Sequence, residues 1–480
     1  MSARPSPFTA RRRSPGPALL DKLRQRFGDR LSTGESVLLQ HGSDESAFPP
    51  CPPDAVVFVE NTEEAAFLVK ACAAENVPLI AFGVGSSIEG HLLAVEGGVC
   101  VDFSKMNKVL AIRTDNLTAT VEAGVTRHQL NAALAGSGFF FSVDPGADAS
   151  IGGMVATAAS GTNTVRYGTM RDNIVSLGVV TAGGDVIRTA SHARKSSAGY
   201  NLTQLYCGSE GTLGLITEIT VRLHPHPEVY AAAVVHFPTV RDAVDCVIES
   251  IQLGVPLARA EMLDALTIKA VNAHSKTALG ESPTLFLEFG GSQAQIDEQA
   301  AIVREIADSH GGGNFEWASR QEERSRLWTP RHHAYFASLQ LKPGSRSLTT
   351  DACVPLSALA SCVEETQEDI REHGLLAPVF GHVGDGNFHC LVLVDPNSQD
   401  ELDAAEAFSH RLIQRALRHG GTSTGEHGIG LHKMQYLIEE HGEHTVALMR
   451  SVKQALDPQN IFNPGKVFSF ASPQGAPAAP

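Results

Sequence analysis

The chain contains 480 residues, which is too long for one compact core, so two or more domains are expected. Its 42% hydrophobic and 19% charged residues are typical of a folded globular protein and not of a disordered one. The formal net charge of −15 disfavours nucleic acid and anionic lipid as bulk partners, because both would be repelled. No run of 18 apolar residues occurs, so no transmembrane segment is expected.

The first 20 residues are basic and contain no acidic side chain. Arg4 and the run Arg11-Arg12-Arg13, with serines between them, are compatible with a mitochondrial presequence. Prolines from Pro5 to Pro17 disfavour the amphipathic helix that such a signal uses. We therefore favour a disordered basic tail on a cytoplasmic protein, including one peripheral to the inner membrane, with a mitochondrial protein as the alternative.

Hydrophobic spacing predicts a first helix over residues 18–31, and four prolines around Cys51 then mark a domain entry. A strand over 56–59, a helix opening at Asn61 or Thr62, and a strand over 78–82 follow. This β-α-β order is typical of an α/β domain.

Short strands and glycine turns continue to Leu223, and the His-Pro-His-Pro sequence at 224–227 predicts a linker. Predicted strands at 231–237 and 284–289 then alternate with predicted helices at 240–253 and 295–310, which indicates a second, α+β domain. The predicted boundaries are 1–48 for an N-terminal tail and helix, 49–226 and 227–468 for two domains, and 469–480 for a disordered tail.

Three glycine-rich stretches lie in the first half of the chain. The first, at 82–90, follows a predicted strand, and its backbone N–H groups and serines suit an anion. Its third glycine comes two residues too late for a dinucleotide fingerprint, so a simple tight turn is an open alternative. The second, at 144–168, has too few large side chains to fill a core, which predicts a large flat group packed on it. The third spans 208–217.

In their order and spacing, these stretches resemble the FAD-binding domain of the vanillyl-alcohol oxidase / p-cresol methylhydroxylase superfamily over residues 50–226. The resemblance implies that the first stretch wraps the pyrophosphate, the second lines the ribityl and isoalloxazine groups, and the third closes the site. The implied FAD contacts are Gly83, Val84, Gly85, Ser86, Ser87, Asp144, Pro145, Gly146, Ser150, Gly152, Gly153, Ser160, Gly161, Asn163, Arg166, Gly168, Glu210, Gly211, Gly214, Ile216 and Asn463. Some members link the flavin through a histidine in the first loop. Here the loop has serines and His91 lies beyond it, so non-covalent FAD is expected.

Two histidine-containing segments stand apart in the second half, at 381–389 and 424–430. His382 and His389 are seven residues apart, which on a continuous strand would put them on opposite faces. The Gly-Asp-Gly sequence at 384–386 is able to reverse the chain and bring both rings together. Glu426 is then the carboxylate that completes a three-ligand metal site. From the residues of this segment alone, two histidines capping a glycine turn is the favoured interpretation.

Both segments, followed by the 457–466 sequence, resemble the C-terminal domain of FAD-linked D-2-hydroxy-acid dehydrogenases. Over residues 50–468 the resemblance is closest to the cytochrome-type D-lactate dehydrogenase branch. It implies an α+β protein with a two-lobed FAD-binding domain of p-cresol methylhydroxylase type, then an α+β substrate or cap domain with a C-terminal FAD-oxidase tail. It also implies His382, His389 and Glu426 as ligands of Zn or Mn, and His427 as the catalytic base.

The implied reaction converts a small D-2-hydroxy acid to its 2-oxo acid. The metal would bind the substrate's hydroxyl and carboxylate oxygens, His427 would accept the hydroxyl proton, and a hydride would pass to flavin N5. Arg331 matches the arginine that holds the carboxylate in this family, with a surface arginine at a helix start as the alternative. Asn387 is expected to donate a hydrogen bond to the substrate or a ligand.

The hydroxyglutarate branch carries a lysine near the strand before Pro355, whereas this chain has no lysine between Lys342 and that proline. A substrate with one carboxylate is therefore expected, D-lactate first, with glycolate or D-2-hydroxyglutarate oxidation as the alternative. A metal-dependent hydrolase and a non-catalytic flavoprotein subunit are the interpretations from other classes.

The chain has no haem-attachment motif, iron–sulfur cysteine set or NAD fingerprint. Electrons are therefore expected to leave to an external acceptor, namely cytochrome c, a quinone or an electron-transfer flavoprotein. A homodimer is an open question at this point.

Overall fold

A computed structural model describes residues 11–470 and divides them into two compact units. Unit 1 consists of residues 11–160, 169–225 and 426–470, and unit 2 consists of 161–168 and 226–425. Arg4 and the predicted tail beyond residue 470 lie outside the described residues. No helix among the described residues is both long enough and apolar enough to cross a lipid bilayer.

The α-helices are, in chain order, α1 (Pro17–Phe27), α2 (Glu35–His41), α3 (Thr62–Ala74), α4 (Arg127–Ala133), α5 (Ile151–Thr157), α6 (Thr164–Tyr167), α7 (Met170–Asn173), α8 (Leu202–Tyr206), α9 (Val240–Gln252), α10 (Ala265–Ser275), α11 (Gln293–Ser309), α12 (Gln321–Leu339), α13 (Leu356–Glu372), α14 (Gln399–Arg418), α15 (Leu437–His441) and α16 (Glu443–Leu456). Short 3-10 helices occupy Gly28–Arg30 and Met434–Tyr436.

The strands are β1 (Leu31–Ser32), β2 (Ala55–Phe58), β3 (Leu79–Phe82), β4 (Val99–Asp102), β5 (Val109–Arg113), β6 (Thr118–Glu122), β7 (Phe139–Phe140), β8 (Ile174–Val180), β9 (Val186–Arg188), β10 (Leu215–Arg222), β11 (His224–Pro225), β12 (Val229–His236), β13 (Leu257–Leu263), β14 (Thr284–Gly291), β15 (Gly313–Ala318), β16 (Arg346–Thr349), β17 (Ala352–Cys353), β18 (Val379–His382) and β19 (Asn387–Val394).

The N-terminal segment is held on unit 1 from Arg12 onward. Arg12 pairs with Asp54 at 3.1 Å, and Arg13 pairs with Glu96 at 2.8 Å. The expected disordered tail is therefore wrong for this part, because both guanidinium groups find carboxylate partners. The predicted first helix is confirmed as α1, which ends earlier than expected because Gly28 adopts a left-handed φ of +54°.

The first sheet of unit 1 has the strand order β1-β2-β4-β3, with β2 and β3 both parallel to the central β4. Helix α3 carries the chain from β2 to β3 and begins at Asn61, whose side chain accepts a hydrogen bond from the Glu64 N–H at 2.9 Å. The predicted β-α-β unit is thus confirmed, with β4 inserted between its two strands. A second, antiparallel sheet of unit 1 has the order β5-β6-β10-β8-β9.

The chain from residue 426 onward groups with unit 1, whereas a second domain continuous to 468 was expected. The reason is its apolar content: Ile461 and Phe462 are fully buried in the core that β2, β3 and β4 build. The Leu79 N–H also donates to the Ile461 carbonyl at 2.7 Å. Unit 1 therefore contains both the beginning and the end of the described chain.

Unit 2 is built on one antiparallel sheet in the order β15-β12-β14-β13-β18-β19-β16, with β17 also paired to β19. Alternate residues of β12 enter two different cores. Ala231, Ala233 and Val235 pack with α9, α11, α13 and α14, while Ala232 and Val234 pack with α10 and α12. The sheet is therefore covered by helices on both faces, and the four elements predicted between 231 and 310 are present.

The hairpin of β18 and β19 brings the two predicted histidine ligands together. Its register pairs His382 with Asn387, and Phe380 with His389, so His382 and His389 are diagonal neighbours on one face. The turn depends on Gly386, which has a φ of +80°. A Cβ atom at this position would lie 2.1 Å from the Val354 carbonyl oxygen. The predicted chain reversal is confirmed, and only glycine fits it without strain.

Replacing Gly386 with alanine is expected to destabilise unit 2 through this contact. The matched control is Gly344→Ala, because Gly344 has a φ of +83° but a Cβ atom there would meet no other atom of the described chain within 4 Å. Both substitutions carry the left-handed backbone cost, and Gly386→Ala adds about 1–3 kcal/mol of overpacking. Calorimetric unfolding measures the difference, and equal melting temperatures for the two variants would contradict the assigned role of the Val354 contact.

Candidate functional site

A cavity in unit 1 is lined by the three glycine-rich stretches of the sequence. The predicted FAD contacts that line it are Gly83, Val84, Gly85, Ser86, Ser87, Pro145, Gly146, Ser150, Gly152, Gly153, Ser160, Glu210, Gly211, Gly214, Ile216 and Asn463. Asp144 is not among the lining residues, and Gly161, Asn163, Arg166 and Gly168 belong to unit 2. The structure therefore collects most of the predicted set around one concave surface.

Residues 161–168 are held in unit 2 through polar side chains. Asn163 accepts a hydrogen bond from Arg259 Nε at 3.0 Å, and Arg166 donates to the Pro256 carbonyl at 3.3 Å. The sequence does not indicate that these residues belong to unit 2. They continue a glycine-rich stretch whose earlier part lines the cavity of unit 1. The predicted contacts of Asn163 and Arg166 with FAD therefore remain predictions, and the hydrogen bonds of both side chains within unit 2 do not support them.

The cavity wall needs small residues at particular positions. A Cβ atom on Gly152 would lie 2.8 Å from Ala123, and one on Gly83 would lie 2.4 Å from Ser150 Oγ. Larger side chains enter the lining elsewhere, as Phe82, Leu92, Phe103 and Met154 do together with Ile216. An apolar surface edged by backbone N–H groups suits a flat aromatic ligand that carries phosphates. Leu92, Phe103 and Met154 were not predicted as lining residues, because isolated apolar residues in a sequence look like ordinary core residues.

His91 and Glu210 form a buried ion pair in the cavity wall, with Nε2 and Oε2 3.0 Å apart. Burial opposes the charge on both groups, but each partner outweighs it, so the pKa of His91 is raised and that of Glu210 is lowered. The Glu210 carboxylate also accepts the N–H groups of Ile429 at 2.7 Å and Gly430 at 2.8 Å. Glu210 thereby fixes the segment that carries Glu426 and His427.

Glu426 and His427, the predicted ligand and base, line the same cavity of unit 1. Glu426 accepts a hydrogen bond from the Ser160 hydroxyl at 2.7 Å. His427 Nδ1 lies 3.7 Å from Glu89 Oε1, and its Nε2 lies 3.9 Å from Glu426 Oε1. An imidazole between two carboxylates is well placed to take up a proton.

Glu89 is a buried carboxylate that sequence analysis missed. Besides His427, it contacts His432 Nδ1 at 2.8 Å and Lys433 Nζ at 3.1 Å, and only 2% of it is exposed. Burial acts to raise the pKa of Glu89, but Lys433 and the two histidines hold it well below the usual range. Glu89 could have been noticed in the sequence, because it is an acidic residue within the first glycine-rich stretch, which is expected to contact a ligand.

His382 and His389 lie on the α12-covered face of the unit 2 sheet, with ring centroids 5.6 Å apart. His389 Nδ1 donates to the Thr350 carbonyl at 3.0 Å, and His382 Nδ1 donates to Glu261 at 2.6 Å. A neutral imidazole that donates through Nδ1 carries its lone pair on Nε2. Both rings therefore have the tautomer that binds a divalent metal through Nε2.

Glu261 joins the predicted ligand His382 to the predicted carboxylate clamp Arg331. Its Oε1 accepts from His382 Nδ1 at 2.6 Å, while its Oε2 accepts from Arg331 Nη2 at 2.7 Å and Nε at 2.8 Å. Burial acts to raise the pKa of Glu261, but His382 and Arg331 lower it, so the carboxylate is ionised. Arg331 lies inside α12 with 13% of its side chain exposed, which contradicts the alternative of a surface arginine at a helix start.

Asn387 has a different hydrogen-bonding role from the expected one. Its Nδ2 donates to Asp351 Oδ1 at 2.8 Å and to the Ala352 carbonyl at 3.0 Å, which uses both N–H bonds. Its Oδ1 is buried and has no hydrogen-bond partner among the described residues. The side chain therefore offers a ligand an acceptor, whereas a donor was expected. Thr424 also donates to Asp351, at 2.8 Å, so the end of unit 2 is held beside the hairpin.

The predicted site residues thus form two groups. Unit 2 brings together His382, His389, Arg331 and Asn387, and unit 1 brings together Glu426, His427 and the cavity. Glu426 directly follows Gly425, the residue at which unit 2 ends. Glu261 and Asp351 were missed, although an acidic residue inside an apolar strand such as β13 signals a buried, paired charge.

Two family models match the chain. The model described as FAD linked oxidases, C-terminal domain, covers residues 226–467, and the FAD binding domain model covers residues 53–190. The solved structure of p-cresol methylhydroxylase with substrate bound has a TM-score of 0.79 at 20% identity, and the match covers 96% of this chain and 98% of that chain. At this identity the match shows the fold alone, and it confirms the fold class expected from the sequence.

Three relatives resemble most of the chain. A probable mitochondrial D-lactate dehydrogenase of Danio rerio is 47% identical over 94% of this chain and 92% of its own length. The mitochondrial D-lactate dehydrogenase (cytochrome) of Arabidopsis thaliana is 44% identical, over 94% of this chain and 80% of its own. Glycolate oxidase subunit GlcD of Bacillus subtilis is 34% identical, over 87% and 89%. The chain belongs to the FAD-linked D-2-hydroxy-acid dehydrogenases and is an FAD-dependent oxidoreductase similar to the cytochrome-type D-lactate dehydrogenases.

Proposed function

We propose that the chain oxidises D-lactate to pyruvate and passes two electrons to an external acceptor. The observation that carries the proposal is the grouping of Arg331 with His382 and His389 on one face of the unit 2 sheet. A cation that binds a carboxylate and two nitrogens that bind a metal are the groups that a 2-hydroxy acid needs. The similarity to D-lactate dehydrogenases supports the same substrate.

Arg331 is suited to hold the substrate carboxylate. Its guanidinium has five N–H groups, and Glu261 uses only Nε–H and one N–H of Nη2. It lies over the ring of Phe380, at 5.3 Å from the ring centre, and Phe380 also packs against His389. Arg331 is thus fixed in orientation on both sides, which suits it to bind a carboxylate through two parallel hydrogen bonds.

The residues present fit a divalent metal. His382 and His389 each carry a lone pair on Nε2. A ring nitrogen of His382 lies within 4.8 Å of a ring nitrogen of His389. Asn387 lies on the same hairpin, and its buried Oδ1, which has no hydrogen-bond partner among the described residues, is a further oxygen that could face the metal or a water bound to it. We assign His382 and His389 as ligands. Glu426 is assigned as the third ligand, because it follows Thr424 closely in the chain and Thr424 is hydrogen-bonded to Asp351 beside the hairpin. When bound, Zn or Mn supplies a Lewis acid that lowers the pKa of the substrate hydroxyl.

His427 is assigned as the general base. Its Nδ1 faces Glu89 at 3.7 Å, and its Nε2 is the nitrogen that we assign to accept the proton of the substrate hydroxyl. Glu210 holds the backbone of this segment through Ile429 and Gly430, so the ring position is fixed before substrate arrives.

The cavity of unit 1 is assigned to FAD, which when bound takes up the hydride that leaves the substrate Cα. The loop at Gly83–Ser87 provides backbone N–H groups for the pyrophosphate, and Gly152 and Gly153 allow a flat ring to approach closely. We propose that FAD is bound non-covalently, because His91 is engaged by Glu210.

Lys342 is the lysine nearest to the position where the hydroxyglutarate branch has its second-carboxylate anchor. Lys342 Nζ is already paired with Glu401. Ser347 faces Tyr335, with the two hydroxyl oxygens 3.2 Å apart. A substrate with a single carboxylate therefore fits better than a dicarboxylate. Glycolate is the second candidate, since the Bacillus subtilis relative is named for glycolate oxidation.

For the acceptor we propose cytochrome c, since the names of related dehydrogenases contain the word cytochrome, with a quinone or an electron-transfer flavoprotein as alternatives. The names of the Danio rerio and Arabidopsis thaliana relatives favour the mitochondrial alternative over the cytoplasm.

The function is tested by anaerobic reduction of the bound flavin with a panel of D- and L-2-hydroxy acids. D-lactate is expected to bleach the flavin absorption band faster than D-2-hydroxyglutarate, because Arg331 binds one carboxylate and Lys342 is already paired with Glu401. It is also expected to react faster than glycolate, because the chain is more similar to D-lactate dehydrogenases than to the glycolate oxidase subunit. L-lactate serves as the control for stereochemistry. A flavin that no 2-hydroxy acid reduces would exclude the proposed reaction and favour a non-catalytic subunit.

Replacing His389 with asparagine is expected to remove the bound metal and to slow flavin reduction by at least about tenfold, because a three-ligand site loses one ligand. His373→Asn is the control, since His373 lies at the end of α13 and contacts Asp369. Elemental analysis gives the metal content, and stopped-flow spectroscopy gives the rate. A chelated wild-type enzyme that keeps its full rate would refute metal assistance.

Replacing Arg331 with lysine is expected to lower kcat/KM for D-lactate by about 10- to 150-fold, because charged hydrogen bonds contribute about 1.5–3 kcal/mol and an ammonium group does not bind in a fork. Arg324→Lys on the same helix is the matched control, since Arg324 contacts Glu288. Steady-state kinetics measures both variants. Equal kcat/KM values for the two would show that Arg331 does not hold the carboxylate.

A further inference from the structure

Glu261 contacts two of the residues assigned to the reaction but is itself too deeply buried to meet a substrate. Its side chain is 1% exposed, and the whole residue is fully buried in β13. The two carboxylate oxygens have separate partners, His382 for Oε1 and Arg331 for Oε2. Such an arrangement fixes the carboxylate at both of its oxygens.

The two partners differ in what they are able to do. Arg331 has N–H donors and no acceptor, so the oxygen that faces it must accept. The His382 ring is able either to donate or to accept through Nδ1, depending on its tautomer. With a carboxylate at Glu261, Oε1 is also an acceptor, and the His382 proton must therefore lie on Nδ1. The lone pair then lies on Nε2.

We propose that Glu261 is a positioning residue that sets the tautomer of His382, and thereby selects Nε2 as the metal-binding nitrogen, with Arg331 locking the carboxylate in place. The proposal rests on the proposed function, in which His382 is a ligand. It goes beyond that function because it assigns a role to a residue that touches neither metal nor substrate.

The substitution Glu261→Gln makes a sharp test because it keeps size and shape. The glutamine carbonyl must face Arg331, so the amide NH2 faces His382 Nδ1. That nitrogen then has to accept, which moves the ring proton to Nε2 and removes the lone pair that binds the metal. The expected result is a loss of about 10- to 100-fold in affinity for Mn²⁺ or Zn²⁺.

Glu288→Gln is the matched control. Glu288 lies on the adjacent strand β14, is also buried, and contacts two arginines, Arg259 and Arg324, both at 3.4 Å. It contacts no residue assigned as a ligand in the described chain. Its substitution removes a buried charge next to α12 and is expected to leave metal affinity and the His382 tautomer unchanged.

Two measurements on the metal-free, full-length flavoprotein decide the proposal. Titration of Mn²⁺ or Zn²⁺ against a chromophoric chelator gives the affinity without any turnover. Nitrogen-15 NMR of histidine-labelled protein, with the His382 signals identified from a His382→Asn variant, gives the tautomer. The expected outcome is Nδ1–H in the wild type and in Glu288→Gln, and Nε2–H in Glu261→Gln.

The outcomes separate the proposal from the function on which it rests. If His389→Asn loses metal while Glu261→Gln binds it like the wild type, the role of Glu261 is refuted and the metal site stands. If neither His389→Asn nor His382→Asn alters metal affinity, the metal site itself is refuted. Should Glu261→Gln fail to fold, the wild-type spectrum still decides, because an Nε2–H tautomer of His382 in the metal-free wild-type protein would overturn the proposal.

Discussion

A carboxylate buried away from water must be paired with cations or N–H donors. This constraint positions the residues to which function is assigned in both units. Glu210 ties the C-terminal segment to unit 1 through His91 and two backbone N–H groups. Glu89 gathers two histidines and Lys433 beside the same cavity. Glu261 holds His382 and Arg331 in the same manner in unit 2.

A buried ion pair adds little net stability, because the cost of desolvating both charges offsets their attraction. Removing one partner leaves a charge in a poorly solvated place, so the partners are required together. In unit 1 the requirement fixes where Glu426 and His427 lie along the cavity wall. In unit 2 it fixes which nitrogen of His382 carries the proton. The buried carboxylates therefore position the residues assigned to the reaction, although they are not themselves assigned a step in it.

Much of the fold and part of the site were predictable from the sequence, because they depend on local patterns. The helix cap at Asn61, the strand–helix alternation from 231 to 310, and the reversal around Gly386 each follow from a few neighbouring residues. The glycine-rich stretches likewise identified most of the cavity lining. The histidine pair was predictable because a two-stranded hairpin fixes which residues are diagonal neighbours.

The features that were missed depend on residues far apart in sequence. Glu261 and His382 are 121 residues apart, and no local pattern relates them. Asn387 was expected to donate, and only the positions of Asp351 and Ala352 reveal that its donors are used. The grouping of residues 426–470 with unit 1 depends on Ile461 and Phe462 entering a core whose strands lie near the start of the chain.

That grouping has a consequence for how the protein is made. Asn463 donates to the His91 carbonyl, a contact that spans 372 residues of sequence. Unit 1 therefore stays incomplete on the ribosome until almost the whole chain has emerged, while unit 2 has all its residues once Gly425 is out. Closing so long a loop is slow, and the open edge of unit 1 is exposed to aggregation in the meantime. A stop codon just before residue 426 would leave unit 2 complete in sequence and unit 1 without the last wall of its cavity.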